Sequence, residues 1–331
     1  MIEKIKKMNS LFAVLALVLM LGFVGCSDDT TNTTIDESDL LIKYLEGDGG
    51  DYINVTMNNI VPATEVKQNI TAEPENYFVM DIRDAATYAK GHITGAVNVP
   101  FAEIYNYFKA NDMTKYKKVY MVCFSGQSAA YSTSLLRMAG YANVFSMKYG
   151  MAAWHSDFMG TWKNNVGNAG QSIIATDEVA KPAAGKLPVL TTGKTTGKDI
   201  LLARIEQAFK DGFPSVGKDV VIANLTNYHI MAYWALADYK DPGHLPGAPC
   251  YVPKSDLKST VALKTLPTNK TIAIYCYTGH TAAYAAAFLK VMGYDIKSIS
   301  FGGNAMFYDL MVAKGKSAWK DSDCLNYDIV K

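Results

Sequence analysis

Two stretches of this chain spell the same arrangement. Residues 120–131 read YMVCFSGQSAAY and residues 274–285 read IYCYTGHTAAYA: each is an apolar run ending near a cysteine, with glycine three positions on and small residues after it. Upstream lie two Gly-His turns, GHITGA at 91–96 and GHLPGA at 243–248. Cys123 follows His92 by 31 residues and Cys276 follows His244 by 32, while Gly140 and Gly293 each lie 17 past their cysteine, and Gly150 and Gly303 each 27. Spacing that regular indicates a duplicated fold.

The repeat divides the chain into domains at 48–163 and 196–331, joined over 164–195 by a segment rich in Gly, Thr, Lys and Asn that reads as a surface linker. Within each copy, KKVYMVCF and TIAIYCY suit buried strands. SAAYSTSLLRMAG and TAAYAAAFLKVMG suit helices stopping at Gly140 and Gly293, and NVFSMKYG and IKSISFGG supply the next strand. Strand, short connection, helix, strand implies a parallel pair, so the expected fold class is α/β: two domains, each a mainly parallel central sheet flanked by helices. Each cysteine then ends a strand and precedes a helix, where open α/β sheets place their ligand sites.

With 331 residues, 49% of them hydrophobic, the chain can build two cores. Lys and Arg number 32 against 31 Asp and Glu, so no global field recruits nucleic acid. Basic KIKK at 4–7, an apolar run at 11–25, Cys26 and a polar stretch make residues 1–26 read as a signal segment. The apolar run is short for the roughly 20 residues a membrane span needs. Cysteine placed directly after FVG resembles the lipobox of bacterial lipoproteins, although Phe23 stands where Leu is usual. That resemblance implies lipidation at Cys26, a polar tether over 27–47, and a body held outside the cytoplasm, in the cell envelope, on a bacterial membrane.

The remaining cysteines are Cys123, Cys250, Cys276 and Cys324. None forms a CxxC pair, which removes zinc and dithiol redox spacings. Cys250 and Cys324 have no evident counterparts in the repeat, so a disulfide between them is open to the chain. Around Cys123 and Cys276, the amides of Phe124, Ser125, Gly126, Gln127 and Ser128, and of Tyr277, Thr278, Gly279, His280 and Thr281, can curl about the sulfur. Such a nest, with the positive end of the helix, favours a thiolate at neutral pH and would hold a further sulfur added to it.

Together these motifs resemble tandem rhodanese domains. In the first copy Asp81 and Arg83 of DIRD, Tyr88, then Gly91, His92, Gly95, Ala96, Asn98 and Pro100 fit the family's first signature. Cys123 and Gly126 fit its active loop, and Gly150 and Trp154 its closing GGxxxW, with Tyr149 in place of the first glycine. The second copy keeps Gly243, His244, Gly247, Ala248, Cys276, Gly279, Gly302 and Gly303, with Asn224 and Thr226 where Asp and Arg are expected and Phe307 for the tryptophan. The resemblance implies a sulfurtransferase in which cysteine takes sulfane sulfur from thiosulfate or another persulfide source, a small sulfur-containing anion, and passes it to a thiol or cyanide-like acceptor. It implies no metal or organic cofactor. It also favours the carboxyl-terminal nucleophile, Cys276, while the fuller signature of the first copy favours Cys123; both are expected to react.

Ser128 and Thr281 stand where many members carry a basic loop residue, which puts the donor's identity in question. His280 reads either as a switchable charge or as an exposed loop histidine. His92 and His244 read as turn-holding residues, Asp81 and Arg83 as an internal ion pair, and Tyr88, Trp154 and Phe307 as core aromatics. Phosphate chemistry would need an arginine six residues past the cysteine, where Ala129 and Ala282 stand. The alternatives left are a lipid-anchored, non-enzymatic sulfur carrier or docking module, and a disulfide-forming redox protein.

Overall fold

The computed structural model describes residues 35–57 and 59–331. The signal segment with Cys26, and residues 27–34 of the expected tether, lie outside the described residues.

Both sheets are wholly parallel. The first contains β1 (Ile60–Val61), β2 (Tyr77–Asp81), β3 (Val97–Asn98), β4 (Lys118–Val122) and β5 (Val144–Met147) in the order β1-β5-β4-β2-β3. The second contains β6 (Ser215–Val216), β7 (His229–Ala232), β8 (Ile272–Tyr275) and β9 (Ile296–Ile299) in the order β6-β9-β8-β7. A lone parallel bridge from Ala232 to Cys250 takes the place of β3 there. Strands β4 and β8 are almost entirely buried, as continuous apolar runs are in sheets covered on both faces.

Register corrects the repeat alignment. Asp81 pairs with Val122 and Ala232 with Tyr275, each partner immediately preceding its cysteine. The positions equivalent to Asp81 and Arg83 are therefore Ala232 and Trp234, not Asn224 and Thr226. Residues 218–222, the apolar run just before Asn224, are helical rather than extended. Gly150 and Gly302 occupy the same place, both at positive φ, and a Cβ on either would come within 2.3 Å and 2.0 Å of the carbonyl oxygens of Cys123 and Cys276. Gly302, not Gly303, is thus the counterpart of Gly150, Phe301 that of Tyr149, and Met306, rather than Phe307, that of Trp154. Cys250 also has a counterpart: Asn98 donates to the carbonyls of Asp81 and Arg83, and Cys250 lies 3.7 Å from the Trp234 carbonyl. All four described cysteines are free thiols. Cys250 lies in the second copy's core whereas Cys324 packs on the first's, so the bridge considered between them does not form.

Helices α2 (Gln127–Met138) and α4 (His280–Val291) follow the two cysteines and pack on each other inside a core shared by the copies. Both helices bury short side chains, Ala129, Ala130 and Ser134 in α2 and Ala283, Ala286 and Ala287 in α4, and small residues permit a close approach. Two polar groups there are paired: Ser134 Oγ donates to the Tyr284 carbonyl at 3.0 Å, and the Tyr284 hydroxyl donates to the Asn59 carbonyl at 2.9 Å. Residues 36–331 accordingly form one compact unit.

Segments following each core cross to the other. Val330 pairs antiparallel with His92, and Ala175 with His244. Tyr327 N donates to the Trp154 carbonyl at 2.7 Å, while Gly167 and Gly170 donate to Asn304 and Met306. The tail over 325–330, assigned to the second domain from sequence, therefore lies on the first core. The tether also needs correcting. Glu37–Glu46 is a helix, α1, which buries Leu41, Ile42 and Leu45 and lies against the helix Gly197–Asp211 (α3). A Cβ on Gly197 would come within 2.5 Å of the Leu40 carbonyl. Apolar residues at four-residue spacing within LLIKYL supplied the buried face that a polar tether would lack. Replacing Leu41 with Ala is expected to cost about 2–4 kcal/mol in equilibrium denaturation; a loss below about 0.5 kcal/mol would restore the tether reading.

Candidate functional site

Strands β4 and β8 run into Cys123 and Cys276, and Gly126 (φ +85°) and Gly279 (φ +76°) turn the chain back before α2 and α4 begin. That left-handed step aims amides at the sulfur. Gly126 N lies 3.1 Å and Ala129 N 3.4 Å from the Cys123 sulfur, and Ala282 N lies 3.3 Å from that of Cys276. Of the amides expected from sequence, Gly126 N alone bonds its sulfur; the other two donors, Ala129 and Ala282, lie one position past the expected windows, in the first turn of α2 and α4.

The loops also capture each other. His280 enters the first copy, where its Nε2 accepts from Tyr149 N at 3.1 Å and its ring lies parallel to Trp162, 6.0 Å between centroids. Gln127 enters the second, where its Oε1 accepts from Phe301 N at 2.9 Å. Tyr149 and Phe301 both have φ +62°, the strained conformation that turns each amide toward the visiting side chain. A Cβ on Gly126 would meet His280 Nε2 at 2.3 Å, and one on Gly279 would meet Gln127 Oε1 at 2.5 Å. Glycine is thus required twice over at each turn.

His280 is 1% exposed, so neither an exposed loop residue nor a switchable charge describes it. Burial, helped by the charge of Lys148, pushes its pKa down to about 3. With Nε2 accepting, Nδ1 carries the proton toward Thr278 Oγ1 at 2.7 Å. Because the unfolded histidine titrates near 6.5, stability from a neutral His280 is fully present above that value and is lost as pH falls toward 3. Substituting His280→Gln, the residue of the first copy, should flatten the fall in denaturation midpoint between pH 7 and 5; an unaltered pH slope would contradict the burial argument.

Cys123 and Cys276 are 2% and 5% exposed. For Cys276, burial pushes the thiol above its ordinary value, and the amides of Ala282, Thr278, Gly279 and Thr281 pull it down without prevailing. The thiolate expected at neutral pH is therefore not the resting form of Cys276: a hydrogen bond to an anion contributes about 1.5–3 kcal/mol, less than full withdrawal of that anion from water costs. Alkylation of Cys276 by iodoacetamide, followed by peptide mass, should reach half its limiting rate at a pH above about 8.5, where a free thiol does. A plateau at or below neutral pH would overturn this.

Cys276 lines a cavity of about 470 Å³ together with Tyr277, Thr278 and Thr281 of its own loop. Gly279 and His280, expected to contact substrate, face the other copy instead. In the first loop Phe124 is exposed, with the Arg83 guanidinium 5.8 Å from its ring centre, while the Ser125 carbonyl accepts from Trp162 Nε1 and Gln127 and Ser128 begin α2. The rest of the cavity wall includes Tyr233, Trp234, Lys254 and Lys148. Sequence reading missed these four. Correct placement of β7 would have put Tyr233 and Trp234 at its carboxyl end, but nothing in the sequence announces Lys148, which comes from the other copy. Among the described residues no three His, Cys, Asp or Glu side chains cluster as metal ligands.

Asp81 and Arg83 form the internal ion pair expected, fully buried, with Nη2 at 2.6 Å from Oδ2 and a further bond to the Gly91 carbonyl. His92 and His244 stack on Tyr88 and Tyr239 at 3.8 Å and 3.9 Å. His92 Nδ1 lies 3.1 Å from the Tyr88 carbonyl and His244 Nδ1 2.9 Å from the Leu245 carbonyl, so both histidines hold turns. Trp154 and Phe307 are core aromatics, and Tyr88 packs against the first core while bonding the Ala96 carbonyl.

The profile of the Rhodanese-like domain matches residues 62–157 and again 234–306, together about half of the chain. The chain belongs to the rhodanese-like family. Among curated rhodanese relatives, the thiosulfate sulfurtransferase GlpE of Pseudomonas fluorescens is 35% identical over 80 residues, 24% of this chain and 72% of that protein. YrkF of Bacillus subtilis, named as a candidate sulfur carrier protein, is 25% identical over 120 residues, covering 36% of this chain and 63% of its own length. Among solved structures, thiosulfate sulfurtransferase from Pseudomonas aeruginosa aligns over 88% of this chain and 71% of its own at 15% identity, with a TM-score of 0.28. The chain is thus a tandem member of a sulfurtransferase or sulfur-carrier family.

Proposed function

We propose that the protein is a sulfurtransferase working through a persulfide on Cys276, with Cys123 a second, slower site. The observation that carries this reading is the coincidence at Cys276 of a sulfur facing loop amides and a cavity able to admit a donor. The deprotonated sulfur attacks the sulfane sulfur of the donor. One S–S bond forms as the donor's S–S bond breaks, and the electron pair leaves with the donor's remainder, sulfite in the case of thiosulfate. A thiolate or cyanide then attacks the outer sulfur and returns Cys276 as thiolate, so no external oxidant or reductant enters. Amides that are too weak to ionise the buried thiol at rest still stabilise the anion as it appears, the arrangement that lowers a barrier rather than a ground state.

Family membership and the GlpE relatives support this reading. The leader sequence supports an envelope location with a lipid at Cys26, as part of the same proposal. Treatment with thiosulfate or polysulfide should add about 32 Da to Cys276 first. Cys276→Ser should lower transfer to cyanide by more than about a hundredfold, Cys123→Ser by much less, and the double replacement should abolish it. A double variant working at the parent rate would end the proposal; loading without turnover to any acceptor would make the protein a carrier.

A further inference from the structure

The Cys276 cavity holds charge and surface that a compact inorganic donor does not use. Lys148 and Lys254 both line it, and among the described residues neither forms an ion pair. The cavity's carboxylate, Asp238, is already neutralised by Lys316 at 2.6 Å. Lys254 sits at φ +63°, a conformation that costs a non-glycine residue energy. The space therefore carries net positive charge and attracts an anion.

The opposite character comes from Tyr233, Trp234 and Tyr277. Trp234 is 3% exposed, and its indole N–H has no partner among the described residues. Its aromatic body is part of the cavity wall, an apolar surface against which the organic part of a ligand can pack. Thiosulfate would occupy little of about 470 Å³, since a water-sized group takes about 30 Å³.

Resting on the sulfurtransferase reading, we propose that the sulfur donor is an organic anion: a carboxylate-bearing persulfide, with its charge held by Lys148 and Lys254 and its body against Trp234. The site is composite, because Lys148 belongs to the first copy and Cys276 to the second. Sulfur transfer balances as before. The Cys276 thiolate takes the outer sulfur of R–S–SH together with its proton, the donor's S–S bond breaks, and R–S⁻ departs with the bonding pair to be protonated by solvent. Lys148 is a specificity residue here, distant from the bond exchange in role.

The test loads the full chain with glutathione persulfide, neutral benzyl persulfide or thiosulfate and follows the mass of the Cys276 peptide over time. Lys148→Gln should raise the half-saturating concentration of glutathione persulfide about tenfold, the loss of one charged contact, with the saturated rate moving less than threefold. The value for benzyl persulfide should move less than about twofold, and Lys148→Arg should restore most of the discrimination. Trp234→Phe, which keeps an aromatic ring but removes part of the indole surface together with the N–H, should weaken glutathione persulfide in the same sense. Equal sensitivity of charged and neutral donors to Lys148→Gln, or thiosulfate loading at lower concentration than glutathione persulfide, would overturn the donor assignment alone. No sulfur on Cys276 from any of the three would overturn the sulfurtransferase reading beneath it.

Discussion

Two hydrogen bonds exchanged across a pseudo-twofold axis, Tyr149 N to His280 Nε2 and Phe301 N to Gln127 Oε1, set the terms for the rest of the molecule. Each draws on a residue held at positive φ, Tyr149 or Phe301, and each brings a side chain so close to the opposite glycine that no Cβ fits there. The cysteine turns are therefore held from two directions: by their own strand and helix, and by the partner loop. Removing one member would leave a buried amide without an acceptor, which costs about 1–3 kcal/mol. The short side chains between α2 and α4 serve the same contact, since bulkier faces would hold the loops apart.

Symmetry of framework permits asymmetry of site. The first copy spends its strand-end position on Asp81 and Arg83, a fully buried pair braced by the Gly91 carbonyl. The second places Ala232 and Trp234 at those positions. A buried pair and well-packed apolar residues of similar volume can support a fold equally well, so the substitution leaves the sheet intact and changes what lines the sulfur. One copy gains a charged brace under Phe124, the other an aromatic cavity wall beside Cys276. The glycine, histidine and tyrosine of the turn motif, which hold backbone in both copies, did not change with it.

The duplicated fold, the parallel strand-helix-strand units and the amide-lined cysteines were legible because they rest on local rules: apolar runs, glycine where φ must be positive, and helix starts. What was illegible depends on partners far along the chain. Asn224 and Thr226 were aligned with Asp81 and Arg83 because residues 218–222 are apolar enough to pass for a strand, and only pairing of Ala232 with Tyr275 shows the true register. The helix α1 was hidden inside a polar neighbourhood because its buried stripe makes sense only against α3. Lys148 carried no signal at all, since its place in the cavity wall arises from the juxtaposition of two copies. His280 was misjudged for the same reason: a loop histidine is exposed unless another loop covers it.

The burial that makes Cys276 a poor thiolate at rest also explains how the site can be selective. In an exposed nest the sulfur would ionise freely and react with any electrophile that diffused past. Here desolvation opposes ionisation, and the amides of residues 278–282 offset only part of it. On the proposed persulfide route, deprotonation and the arrival of sulfur would be coupled, because the outer sulfur of a persulfide would extend the anion away from the apolar floor and spread its charge. The same amides count for more once charge is forming than before it, as groups fixed in place by a rigid core need no reorganisation when it appears. Mutual capture of the loops supplies that rigidity, so the contact that keeps His280 neutral and Gln127 in place also keeps the donor groups of the cysteine loop aimed at the reacting atom.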